Sequence, residues 1–137
     1  MTKRVALTVL LPYLFLVVIS TIVTRRTTSE QHLVLRPFWT IKTILSAGQT
    51  KAWLVKEVAL NILMLMPVGL LAPVIFEKRN MVKTFLLGVG ISVSIEILQL
   101  ILHRGLAETD DIIFNTFGVI IGIGVFSVVK RRRSNTL

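Results

Sequence analysis

The chain has no cysteine, and only seven of its 137 residues are acidic, against sixteen basic ones. Without cysteine there is no disulfide framework, no thiolate nucleophile and no zinc–thiolate centre. There is also no long-period repeat and no low-complexity stretch. The formal net charge of +9 invites a nucleic-acid reading, but the basic residues sit in the wrong places for one. Lys3 and Arg4 precede the first apolar run, and Arg25 and Arg26 follow it. Lys78, Arg79 and Lys83 lie between the second and third runs, and Lys130 to Arg133 follow the last. Those are anchoring and orienting positions beside a bilayer. The expected partners are anionic lipid headgroups, with no nucleic acid. No A-x-A site follows the first run, so it is expected to be an uncleaved signal-anchor helix.

What the chain has in quantity is apolar sequence. Hydrophobic residues make up 53% and the mean hydropathy is +0.77, above the roughly 45–50% apolar content of soluble domains. They fall into four runs, Val5–Val23, Val58–Phe76, Phe85–Leu102 and Ile112–Val129. Each is about 27–29 Å long as a helix at about 1.5 Å per residue, close to the hydrocarbon thickness of about 30 Å. The runs do not alternate, which argues against a membrane β-barrel. The predicted fold is an all-α integral membrane protein, a single domain over residues 1–137 built as a four-transmembrane-helix bundle.

The first loop is predicted to carry a short interfacial helix. Leu35 to Leu45 has apolar residues at helical spacing, with Pro37 in the first turn and Gly48 as a stop. Phe38, Trp39 and Trp53 suit the membrane interface. Pro67 and Pro73 predict a bend in the inner half of the second span. Gly118 and Gly122, extended by Gly124, form a small-residue face for close helix packing within the chain.

Basic residues flanking the second, third and fourth spans place both termini in the cytoplasm. Helix four carries Lys130 to Arg133 at one end and Asp110 and Asp111 at the other. In this arrangement Asn61, Glu96, Gln99 and Asn115 all lie toward the outer end, beneath the loop that carries Arg104, Glu108, Asp110 and Asp111.

That polar group is the chain's main chemical feature. A carboxylate at the bilayer centre costs about 2.5–3.5 kcal/mol on insertion scales, so Glu96 requires a partner or a wet cavity. Gln99 and His103 follow at steps that place them on the same helix face. Asp111, Asn115, Gly118 and Gly122 share a face of helix four in the same way. One acid at the start of helix four is explained by capping and the helix dipole. Three acids, an arginine and Glu96 are not.

These residues also carry a resemblance. Arg104-Gly-Leu-Ala-Glu108-Thr-Asp110-Asp111-Ile-Ile-Phe-Asn115-Thr-Phe-Gly118 resembles the signature of the VanZ-like membrane proteins of bacteria. Ser94-Ile-Glu96-Ile-Leu-Gln99 is similar to that family's S-x-x-E-x-x-Q helix. Asn61 to Pro73 is similar to its N-x-x-x-x-x-P-x-G-x-x-x-P helix, and Leu35 to Ile41 to its N-L-I-P-F-x-T-I segment. Val34 and Arg36 depart from that last pattern, and Glu108 stands where many members have aspartate. The resemblance spans about Val34 to Gly124. It implies a bacterial cell-membrane protein, and the family's founding member is linked to resistance to teicoplanin, a lipid-tailed glycopeptide antibiotic.

Three functional readings compete. In the first, a polar pocket at the outer leaflet binds a lipid-linked cell-wall precursor or a lipoglycopeptide. Arg104 would pair with an anionic group, Asn61, Gln99 and Asn115 would supply neutral hydrogen bonds, and Glu108, Asp110 and Asp111 would complete the site. In the second, a membrane-embedded enzyme uses Glu96 as a general acid or base, with a divalent cation as an optional cofactor on Glu96, Asp110 and Asp111. His103 is expected to be interfacial, with no ligand role. In the third, the network only locks helices. Such contacts are worth about 0.6–2 kcal/mol each, a small return for so many charges.

Overall fold

The computed structural model describes residues 2–23, 33–46, 52–76, 80–105 and 107–134. Four helices among them are long and apolar enough to cross a membrane. They are α1 (Lys3–Val23), α3 (Ala52–Ile75), α4 (Met81–Ile101) and α5 (Thr109–Ser134), with a short α2 (Trp39–Ser46) in the first loop. The four-span bundle with a short loop helix is therefore as predicted. Helix α3 begins six residues before the expected Val58 and runs unbroken through Pro67 and Pro73. The short helix of the first loop, α2, also starts later than expected. Pro37 is not in its first turn but lies in the turn that precedes it, and Gly48 lies outside the described residues.

In hydrocarbon every backbone polar group must be satisfied within the chain, which makes long apolar runs helical. The start of α4 is set by Asn80, whose side chain accepts the Lys83 N–H at 3.0 Å and so satisfies one free helix-terminal donor. Large apolar side chains such as Leu86, Ile97, Ile120 and Val125 face outward. In water this would be an aggregation hazard. In a bilayer it is the lipid-facing surface.

The bundle is organised around α3 and α5, which make the most extensive contact. A small core of Leu10, Leu65, Val68, Ala72 and Val119 sits beside it. The backbones approach so closely that a Cβ on Gly118 would strike the Ile62 carbonyl oxygen. One on Gly122 would strike that of Met66, and one on Gly69 that of Val119. Gly118 and Gly122 thus form the close-packing face the sequence suggested. Gly124 does not belong to it: it is exposed and a Cβ there meets nothing within 4 Å. Its partner in the interface is instead Gly69, across on α3.

Valine at Gly118 forces the helices apart and is expected to destabilise the protein by about 1–3 kcal/mol, the range for overpacking a tight interface. Alanine at Gly124 is expected to stay within about 0.5 kcal/mol of wild type. Thermal or denaturant unfolding in detergent micelles, followed by circular dichroism, checks both.

Candidate functional site

The polar residues singled out in the sequence come together at one end of the bundle, where α3 and α5 begin and α4 ends. Each is brought there by a separate element. Asn61 is nine residues into α3, Glu96 and Gln99 lie in the last turns of α4, and Asp110 and Asp111 open α5. Asn61, Glu96, Gln99, Glu108, Asp110, Asp111 and Asn115 are all buried, and Arg104 is half-buried.

The contacts pair these residues across elements. The Asn61 amide donates to the Asp111 carboxylate, tying α3 to α5. The Asn115 amide donates to Ser92 Oγ at 3.0 Å, tying α5 to α4. The Glu108 backbone N–H donates to Glu96 Oε2 at 2.9 Å. Glu96 is thus held by the backbone of the strand that leads into α5, and Arg104 and Glu108 also have partners within the protein. Ser92 was not anticipated. Its place seven residues before Gln99 on the Glu96 face was the available signal.

Asp110 has a role that α5 alone does not explain. Its two carboxylate oxygens accept the backbone N–H groups of Phe38 and Thr40, the latter at 2.8 Å. These donors belong to the start of α2, where helical N–H groups lack internal partners. One carboxylate therefore sits at the N-termini of two helices, α2 and α5, and both dipoles favour its negative charge. The turn before α2 has Pro37 followed by Phe38 at a φ of 60°, with the Trp39 N–H bonded to the Arg36 carbonyl at 3.2 Å. Proline followed by a positive φ is the pattern of a type II turn, which usually takes glycine at the second position. Asp110 holds Phe38 in that conformation.

A two-stranded parallel ladder adds to this attachment. Strand β1 (Leu33–Val34) pairs with β2 (Ala107–Glu108), Leu33 opposite Ala107 and Val34 opposite Glu108. The Thr109 hydroxyl donates to the Val34 carbonyl at 3.2 Å. Two-residue strands leave no periodicity to read, so they were not anticipated. Their effect is to dock the segment 33–46 onto the start of α5, over the polar end.

His103 does not share the Glu96–Gln99 face as the spacing had suggested. Helix α4 stops at Ile101, and His103 is exposed with a φ of 53°. Its N–H bonds to the Leu100 carbonyl at 3.3 Å, and the Arg104 N–H bonds to the Gln99 carbonyl at 2.9 Å. That pair of bonds is a Schellman terminus, which turns the chain away from the helix axis.

Two features mark what the cluster can do. Among the described residues no three His, Asp or Glu side chains converge to hold a metal ion. Glu96, Asp110 and Asp111 are each engaged in a different direction. Gln99, in contrast, is 1% exposed, and both polar atoms of its side chain lack a hydrogen-bond partner, as does Asn115 Oδ1. Buried amides without partners are costly, and here they offer donor and acceptor capacity at the centre of the cluster. Two open recesses also meet the cluster, both lined in part by Leu60 and Asn61.

A sequence profile of the VanZ/LLP1 family matches residues 5–130. The chain belongs to the VanZ-like family. No curated protein and no solved structure matches it. The matched region takes in all four spans of this VanZ-like chain and the whole polar cluster, so it is a multi-pass membrane protein of that family.

Asparagine at Asp110 keeps the size of the side chain but replaces one acceptor with a donor facing an N–H. Hydrogen bonds to a charged group are worth about 1.5–3 kcal/mol. The Asp110→Asn variant is therefore expected to open α2 about thirtyfold more often. Amide hydrogen exchange over residues 38–46 should rise by that factor, with exchange in α3 and α5 unchanged.

Proposed function

We propose that this VanZ-like protein resides in the bacterial cell membrane and binds a lipid-linked or glycopeptide-type ligand at its polar end, and that this binding underlies resistance to teicoplanin. The observation that carries the reading is the position of Asn61. Its amide nitrogen is committed to Asp111 inside the cluster, and the same residue lines both open recesses. Its side chain makes no other hydrogen bond among the described residues. With the nitrogen fixed by the carboxylate, the amide oxygen is an acceptor at the recess wall. A ligand arriving through the membrane meets the cluster there first. Gln99 adds unspent hydrogen-bonding capacity elsewhere in the cluster, and Arg104 adds positive charge.

The basic flanks support a reading with both termini in the cytoplasm and this end at the outer leaflet, where cell-wall precursors and glycopeptides act. The chain lacks cysteine, so single-cysteine variants report the orientation cleanly. His103→Cys is expected to react with an impermeant thiol reagent in intact cells, and Thr2→Cys only after lysis. The reverse pattern would move the site to the cytoplasmic face and end the outer-leaflet reading.

The resistance claim is tested in a susceptible bacterium. Expression of the wild-type protein is expected to raise the inhibitory concentration of teicoplanin at least fourfold. A glycopeptide without a lipid tail should be affected less. Asn61→Leu and Glu96→Gln should both lose the effect while reaching the membrane at normal levels. Equal protection against tailed and untailed drugs, or full activity in Asn61→Leu, would remove the support for a ligand site at this end.

A further inference from the structure

Helix α1 is attached to α3 over only part of its length. Its buried residues are Ala6, Leu10 and Val17, and the Tyr13 hydroxyl donates to the Met64 carbonyl at 2.8 Å. Beyond that bond toward Val23 the two helices leave an open groove of about 690 Å³, walled by Leu16, Val17, Leu60, Leu63 and Met64 with Tyr13 at its closed end. Ligand pockets are typically about 300–1,000 Å³. A second recess of about 330 Å³, lined by Trp53, Lys56 and Glu57, adjoins it and shares Leu60 and Asn61. From Trp53 to Met64 the groove follows α3 for about 17 Å at about 1.5 Å per residue. That is about the depth of one leaflet of a hydrocarbon core about 30 Å thick.

The groove thus has a graded chemistry. Its deep part is apolar and opens sideways between two helices. Midway stands Asn61, whose amide nitrogen is taken by Asp111, leaving its oxygen as the acceptor. At the mouth stands Lys56, exposed and without an ion pair among the described residues, beside the interfacial Trp53. Glu57 at the same mouth is already engaged within the protein. We infer that the groove binds a monoacyl glycerophospholipid, with its single chain between α1 and α3, its free glycerol hydroxyl donating to Asn61 Oδ1 and its phosphate at Lys56. A diacyl lipid has an ester where the hydroxyl would be and offers Asn61 no donor between chain and phosphate. The inference rests on the reading of this end as a site for lipid-tailed ligands, and names the lipid class it takes.

The test uses the full chain in lipid nanodiscs, in a Trp39→Phe background that leaves Trp53 as the sole tryptophan. Monoacyl phosphatidylglycerol with a spin label near the head of its chain is titrated against Trp53 fluorescence. Quenching is expected to saturate. Unlabelled monoacyl phosphatidylglycerol should reverse it at least tenfold more effectively than the diacyl form. Lys56→Gln, on an exposed surface position, should weaken binding three- to tenfold. Leu63→Phe, which fills the groove, should abolish saturation. Quenching that rises linearly with lipid would mean ordinary boundary lipid and overturn the inference, as would equal competition by the diacyl lipid. Teicoplanin is tested as a competitor in the same assay and by direct titration. Saturable teicoplanin binding without monoacyl lipid binding would overturn this inference and leave the proposed function standing. Monoacyl lipid binding with no teicoplanin effect, in the assay or in cells, would do the opposite.

Discussion

The close approach of α3 and α5 is the constraint on which the rest of the structure depends. Lipid tails are as apolar as leucine, so helices in a bilayer gain little from burying hydrophobic surface against each other. They associate where backbones fit. At Gly69, Gly118 and Gly122 the fit leaves no room for a single Cβ. This fixes the rotation of α5 as well as its distance from α3. The face that carries Gly118 and Gly122 also carries Asp111 and Asn115, at helical steps. Seating the glycines on α3 therefore brings Asp111 to Asn61 and leaves Asn115 directed at Ser92 on α4. The polar cluster is a consequence of small-residue packing carried one and two turns further along the same helix.

Charge at this end is managed by backbone as much as by side chains. Asp110 binds two N–H groups at the start of α2, and Glu96 binds the N–H of Glu108. Both carboxylates accept from amides. Of the chain's seven acidic residues, four, Glu96, Glu108, Asp110 and Asp111, are buried in this group. Segment 33–46 is held on the bundle in part by the donors it gives Asp110. The cap and the cluster meet at Asp110, which opens α5 and holds the start of α2.

The helices and the gathering of polar residues at one end of the bundle were legible in the sequence for a physical reason. Four apolar runs have one solution in a bilayer, and ionisable residues inside them stand out because they are expensive there. The resemblance carried by Arg104 to Gly118 added the family. What could not be read was pairing between distant segments. The Leu33–Val34 ladder, the bonds from Asp110 to Phe38 and Thr40, and the bond from Tyr13 to Met64 join positions about fifty to seventy-five residues apart. No local periodicity encodes them. His103 was misplaced for a related reason. Its spacing fits the helix, but a Schellman turn ends α4 two residues before it, and histidine is not the residue that usually marks such a turn.

The two halves of the site differ in how they are built, and the difference suggests a division of labour. The cluster is buried and mostly paired. The α1–α3 groove is open, largely apolar and bounded by α1, the span least engaged with the others. Under the proposed function a ligand reaches Asn61 from the membrane, along the groove between α1 and α3. Because Asn61 also holds Asp111, a group that bonds its free oxygen acts on the α3–α5 contact directly. The same residue is then both the end of the groove and a member of the interface that holds the bundle together. If the groove takes the lipid inferred for it, Asn61 is the point through which its occupancy reaches the α3–α5 interface.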